Sequence, residues 1–213
     1  MKRVSKKVSS KPMLYNDLHP ESSLQGTGFK DSVAAQKTIK LIAKRSLRYQ
    51  FDVVNTMYNR AKYHPHQTDG MRDAMKVFAK FLVSNKKLRE KEELKYPWLS
   101  LATIKKYIPL AEKYNVSEVA RGLKKGSRTD EGFFAMYEKV AGKKEKLCYI
   151  PVHKNRPDGQ DYWSYRISFI KARLGQMKAM GTPFFDKDGV PTKQHVILIM
   201  HGWGTKVPQN PSF

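Results

Sequence analysis

The sequence predicts a mainly α-helical protein: two small helical modules joined by a charged linker, with at most a minor strand near residues 147–152. Three observations in the 213 residues carry that expectation. Apolar residues recur at i, i+3, i+4 and i+7 through most of the longer segments, the stripe of a helix packed on a core. Those segments open on Ser, Thr or Asp at capping positions and close on Gly or Pro. Between them, KKLREKEELK at 86–95 mixes both charge signs with almost no apolar face. It reads as a linker or a solvated helix extension, so we divide the chain into 12–85, 86–97 and 98–213.

Residues 1–11 alternate Lys and Arg with Ser and Val and are expected to be a disordered basic tail, since they offer too little apolar surface to offset the entropy of ordering. Residues 12–30 are rich in turn formers. Gly26 and Gly28 match neither phosphate-loop pattern and are read as a tight turn leading Phe29 into the core. Asp31 or Ser32 opens a first helix to about Arg45. Ser46 caps a second, SLRYQFDVVNTMYNRAK, on which Leu47, Gln50, Phe51, Met57, Tyr58 and Ala61 lie within about 60° of Val54. That face is expected to be buried. Tyr63-His64-Pro65 ends the helix, and Thr68 or Asp69 opens a third with Met71, Ala74, Met75, Phe78, Phe81 and Leu82 at helical spacing as far as Ser84 and Asn85.

In the second part Ser100 caps a helix carrying Leu101, Ile104, Ile108 and Ala111, with Pro109 predicting a break near Ile108. A short helical piece is expected over 117–121 and a further helix, opened by Thr129 or Asp130, through Phe133, Met136, Tyr137 and Val140. Residues 147–152 form the strand candidate. Asp161 caps a long helix with Trp163, Ile167, Ile170, Leu174 and Met177 on one face; Tyr165, Arg166, Phe169 and Arg173 lie behind it. The last apolar run, VILIM at 196–200, fits a buried strand or helix by periodicity alone. Thr192 after Pro191 favours a helix.

Charge bears on partners rather than on fold. The chain carries 41 Lys and Arg against 19 Asp and Glu, a net charge of +22. Polyphosphate is the expected partner. No apolar run approaches the about 20 residues needed to span a bilayer, and no signal-peptide core is present, so a cytoplasmic location without a membrane partner is expected. The single cysteine, Cys148, excludes an internal disulfide and a thiolate-rich zinc site.

Candidate nucleic-acid contacts fall in three places. On the central helix Arg48, Asn55, Asn59 and Lys62 fall within a sector of about 60° at about 100° per residue, with Arg60 nearby. The cations suit phosphates and the amides suit base edges. Arg121, Lys124, Lys125 and Arg128 form a basic loop ahead of a helix N-terminus, which favours anions. Arg166 and Arg173 flank Tyr165 and Phe169 in a pattern suited to stacking bases.

Of six histidines, His64 and His66 share a proline-constrained loop, and His19 lies near Asp17 and Glu21. Together these offer a candidate His/carboxylate metal site, although no helical H-x-x-x-H spacing is present. His195 and His201 are read as structural. Cys148 and His153 have only nearness in sequence to recommend them as a reactive pair.

The segments DLHPESSLQGTGF, YQFDVVNTMYNRAKYHPHQT, FIKARLGQMK and PTKQHVILIMHGW resemble small basic proteins encoded by bacteriophages and related mobile DNA. That group has no assigned activity, so the resemblance implies a phage or prophage context, with the host cytoplasm or a virion as the setting, and transfers no catalytic residue. The expected function is a non-enzymatic nucleic-acid-binding protein without a cofactor. A metal-dependent nuclease built on His19, His64 and His66 is the alternative, beside a virion protein that neutralises packaged genome.

Overall fold

A computed structural model describes residues 24–116, 132–143, 146–153 and 155–208. The described residues are mainly helical, with eight α-helices and no strand. The expected basic tail at 1–11, the helical piece at 117–121 and the basic loop at 121–128 lie outside them.

Asp31 caps α1 (Ser32–Leu41) by accepting from the Ala34 N–H at 2.7 Å. Ser46 caps α2 (Leu47–Lys62), and Thr68 caps α3 (Asp69–Lys95). These helices enclose one core of Ala35, Ile42, Val54, Met57, Ala74 and Phe78. Gly70 lets α3 start against α1: a Cβ there would stand 2.6 Å from the Lys30 carbonyl oxygen, so no side chain fits.

Two expectations about this region are corrected. α1 ends at Leu41 rather than near Arg45, because residues 43–46 are drawn aside by side-chain bonds. Gln50 Nε2 donates to the Ala43 and Arg45 carbonyls, at 3.2 and 2.7 Å. Phe51 is only half-buried, its ring lying under the Arg89 guanidinium at 4.7 Å rather than in the core.

Of the two readings of 86–95, linker or helix extension, the structure has the extension. α3 continues as one helix through the charged stretch, and Asn85 is a buried residue within it.

Ser100 caps α4 (Leu101–Lys105), which breaks before α5 (Ile108–Lys113), where Pro109 occupies the first turn. α6 (Phe133–Val140) has Gly132 at its N-cap rather than the expected Thr129 or Asp130, Asp161 and Ser164 close a reciprocal capping box on α7 (Tyr162–Ala179), and Thr192 holds the N-cap position of α8 (Lys193–Met200) without a side-chain cap bond. α8 is the hub of this part, with every residue from His195 to Met200 buried. A helix surrounded on all sides reads as a continuous apolar run, which is why its period was silent. His195 and His201 are buried and bonded to the Phe184 and Ile197 carbonyls, at 3.0 and 2.9 Å.

The strand candidate at 147–152 is a 3-10 turn, Leu147–Tyr149, followed by an isolated antiparallel bridge of Pro151 with Asp161. The bridge is made by the Tyr162 N–H donating to the Ile150 carbonyl at 3.1 Å and the Val152 N–H donating to the Gln160 carbonyl at 2.9 Å, and among the described residues no further pair extends it.

A buried polar knot joins the two halves. Asp161, fully buried, accepts from the Ser46 N–H at 2.8 Å and the Ser46 hydroxyl at 2.9 Å, and Arg45 Nε lies 3.3 Å away. Arg45 also donates to the Cys148 and Pro157 carbonyls. Burial raises the Asp161 carboxyl above its ordinary range, while the Ser164 and Ser46 donors and the Arg45 charge pull against it.

Candidate nucleic-acid interface

The α1–α2 turn, the C-terminal half of α3 and the middle of α7 converge on a groove of about 550 Å³. α3 contributes Leu88, Lys91, Glu92 and Lys95 at i, i+3, i+4 and i+7, one stripe of the helix. α7 contributes Ser164, Ser168 and Lys171, and the turn before α2 contributes Lys44. Four lysines thus surround one carboxylate, that of Glu92, which Lys171 reaches at 3.5 Å. Burial raises the Glu92 carboxyl above its usual range, and the Lys171 charge opposes that rise. Lys44 also lines an adjoining hollow of about 340 Å³ with Lys37, Lys40, Leu41 and Asp158. The two hollows hold six lysines against two carboxylates, a cationic track across three elements.

The outer face of α2 carries a second concavity, about 710 Å³, lined by Asn55, Asn59, Arg60, Tyr63, His64 and Phe29 among others. Here the structure gathers part of the predicted stripe. Asn55 and Asn59, one turn apart, share the hollow with Arg60. Arg48 and Lys62 do not line it.

Arg48 instead pairs with Asp52 at 3.2 Å, and the same carboxylate accepts the Tyr149 hydroxyl at 2.6 Å. Burial, with the Asp52 bond adding to it, pushes the Tyr149 hydroxyl well above its ordinary range. Lys62 is exposed, its ammonium 5.2 Å from the centre of the Tyr63 ring.

Arg166 is corrected outright. It is fully buried, donating through Nε to the His201 carbonyl at 3.0 Å, through Nη1 to Tyr96 at 3.2 Å, and through Nη2 to Pro97 and Gly202, both at 2.8 Å. Its guanidinium lies 3.8 Å from the Trp98 ring centre. With these contacts inside the fold it has no reach toward a phosphate. Burial lowers it to about 9, which leaves it cationic at neutral pH. Tyr165 and Phe169 likewise face the His201 ring rather than an open stacking surface, Phe169 stacked on it at 3.7 Å. Arg173 is half-exposed and bonds Gln176 and Gln194.

Arg121, Lys124, Lys125, Arg128 and His19 lie outside the described residues. His64 and His66 sit side by side, ring centres 6.4 Å apart, the His66 N–H donating to His64 Nδ1 at 3.1 Å. Among the described residues no group of three or more His, Cys, Asp or Glu side chains is placed to hold a metal ion. Cys148 is buried and its thiol is pushed up to about 11 by that burial, so it stays protonated and unreactive at neutral pH.

Sequence reasoning missed Lys37, Lys40, Lys44, Lys91, Lys95 and Lys171. For α3 a signal existed: Lys91 and Lys95 share one face with Leu88. Among the described residues no helix is long and apolar enough to cross a membrane. Comparisons with family models, with curated proteins and with solved structures find no match to this chain.

Proposed function

We propose that the protein is a non-enzymatic nucleic-acid-binding protein whose lysine groove between α2, α3 and α7 follows a phosphate backbone, in the phage or prophage setting that the sequence resemblance suggests. The observation that supports this reading most is the convergence of Lys44, Lys91, Lys95 and Lys171 on one groove, continued by Lys37 and Lys40 past Lys44. Lysine is a compact charge on a flexible stem, suited to a backbone whose phosphates vary in position. The groove's Ser164 and Ser168 add hydroxyls of the kind that contact phosphate and sugar oxygens.

The test is a binding titration over a salt series. If all six lysines neutralise phosphates, the log–log slope is about −5 on duplex and about −4 on single strands. Lys91→Gln with Lys95→Gln lowers the magnitude of the duplex slope by about two units. The control pair Lys80→Gln with Lys113→Gln, on exposed positions away from the groove, leaves it within half of that change. Equal effects from the two pairs overturn the groove and favour diffuse neutralisation of a packaged genome. A wild-type slope near zero overturns nucleic-acid binding itself.

A further inference from the structure

The lysine groove explains attachment to a backbone but leaves the concavity on α2 without a role. Its size, about 710 Å³, lies in the range of small-molecule pockets, about 300 to 1,000 Å³. Its lining differs in kind from that of the groove. Asn55 and Asn59 project from successive turns, and neither side-chain amide makes a hydrogen bond within the described residues. Tyr63 is 73% exposed at the rim, while Phe29 and His64 meet edge to face at 6.2 Å behind it. Arg60 supplies the one lysine or arginine charge of the lining.

We infer that this concavity is a base-reading pocket for one unpaired adenine of a single strand whose backbone lies in the lysine groove; the inference rests on the nucleic-acid reading above. An unstacked base presents a π-face and a hydrogen-bonding edge, and the pocket presents a ring and two primary amides. An asparagine amide holds a donor and an acceptor side by side, which matches the amino group and neighbouring ring nitrogen of adenine. The exposed Tyr63 ring provides the stacking platform by which single strands are held. A free anion or a membrane surface calls for cations and makes no use of the paired amides. α2 links the two sites: Gln50 lines the groove and Asn59 lines the pocket, about 14 Å apart along the helix at about 1.5 Å per residue and about half a turn round it, and a third hollow between them shares Arg45 with the groove and Thr56 with the pocket.

The test compares homopolymeric oligodeoxynucleotides of about 12 nucleotides, a length within the site sizes of single-strand binders, by fluorescence anisotropy at one salt concentration. The full-length wild type is set against Asn55→Ala, Asn59→Ala and Tyr63→Ala, with thermal melts to show that each variant folds. Wild type is expected to prefer the adenine oligomer to the cytosine and thymine oligomers by about tenfold, and each asparagine substitution to cut that preference by about fivefold or more. Tyr63→Ala weakens binding to all the oligomers, because stacking is tolerant of base identity. The salt slope stays at its wild-type value in the asparagine variants.

A steep slope with no base preference, or a preference that survives both asparagine substitutions, overturns the pocket while leaving the groove standing. Absence of binding to any oligomer at low salt overturns both. Adenosine monophosphate binding as tightly as the adenine oligomer overturns the strand assignment and gives the pocket to a free nucleotide.

Discussion

Arg166→Ala tests the correction that takes Arg166 out of the candidate contacts and places it in the fold. The Arg166 guanidinium bonds four carbonyls, two at each of two helix ends: Tyr96 and Pro97 follow α3, and His201 and Gly202 follow α8. Carbonyls at a helix C-terminus have no partner within the helix and carry partial negative charge, so a buried cation suits them. Gly202 holds the left-handed φ of 74° that turns its carbonyl into this site.

Removing the side chain breaks four bonds, strands up to three acceptors, since the Gly202 carbonyl keeps the Leu99 N–H at 2.8 Å, and uncovers Trp98. At roughly 0.5 to 1.5 kcal/mol for each bond, offset in part by relief of a buried charge, the cost is about 3 to 5 kcal/mol. Arg166→Lys keeps the charge but not the planar fork, and recovers less than half of that. Arg173→Ala, on a half-exposed residue of the same helix, costs about 0.5 kcal/mol or less. Equilibrium urea unfolding followed by far-UV circular dichroism measures all three. The folded Arg166→Lys protein keeps the wild-type salt slope on nucleic acid, because its charge never faced solvent. A loss below about 1 kcal/mol for Arg166→Ala would refute the clamp.

The two buried histidines make stability depend on pH. Burial holds His195 and His201 at about 4, below the ordinary 6.5, so the unfolded chain takes up protons that the folded chain refuses. Stability present above pH 6.5 is therefore lost as the pH falls toward 4, by up to about 3 kcal/mol for each ring. Urea midpoints for wild type and His201→Phe between pH 7 and pH 5 check this, and parallel profiles would remove His201 as a source. Phe51→Ala costs about 1 to 2 kcal/mol because the ring is half-buried under Arg89, whereas Phe78→Ala, at a position with no exposure, costs about 3 to 5 kcal/mol. Equal thermal shifts would place Phe51 in the core after all.

The helical class and most helix starts were legible because they are local. Asp31, Ser46, Thr68, Ser100 and Asp161 each act on backbone N–H groups within the next turn, so residue type and position suffice to find them. The ends were less legible. α1 stops at Leu41 partly because Arg45 and Ser46 are held by Cys148, Pro157 and Asp161, more than a hundred residues away, and no local window contains that reason. The run at 147–152 has strand-like composition, yet Leu147–Tyr149 close a 3-10 turn and only the one bridge at Pro151 finds a partner, in the segment just ahead of α7, which no local window contains.

The candidate interface divides along the same line. Asn55, Asn59 and Arg60 were found together because one helix carries them, and an i, i+4 spacing survives folding unchanged. Arg166 was misplaced because a helical wheel assigns angle and not surroundings: its back face meets the ends of α3 and α8, which the wheel does not contain. The lysine groove is the complementary case. Lys44, Lys91 and Lys171 are far apart in sequence and belong to segments that look individually like solvated surface, so each carries almost no signal alone. Their convergence depends on the Arg45–Asp161 knot, which sets the α1–α2 turn against α7. A buried ion pair contributes little net stability once desolvation is counted. In this fold its consequence is positional: it holds Lys44 on the same groove as Lys91, Lys95 and Lys171, where scattered charge becomes a track.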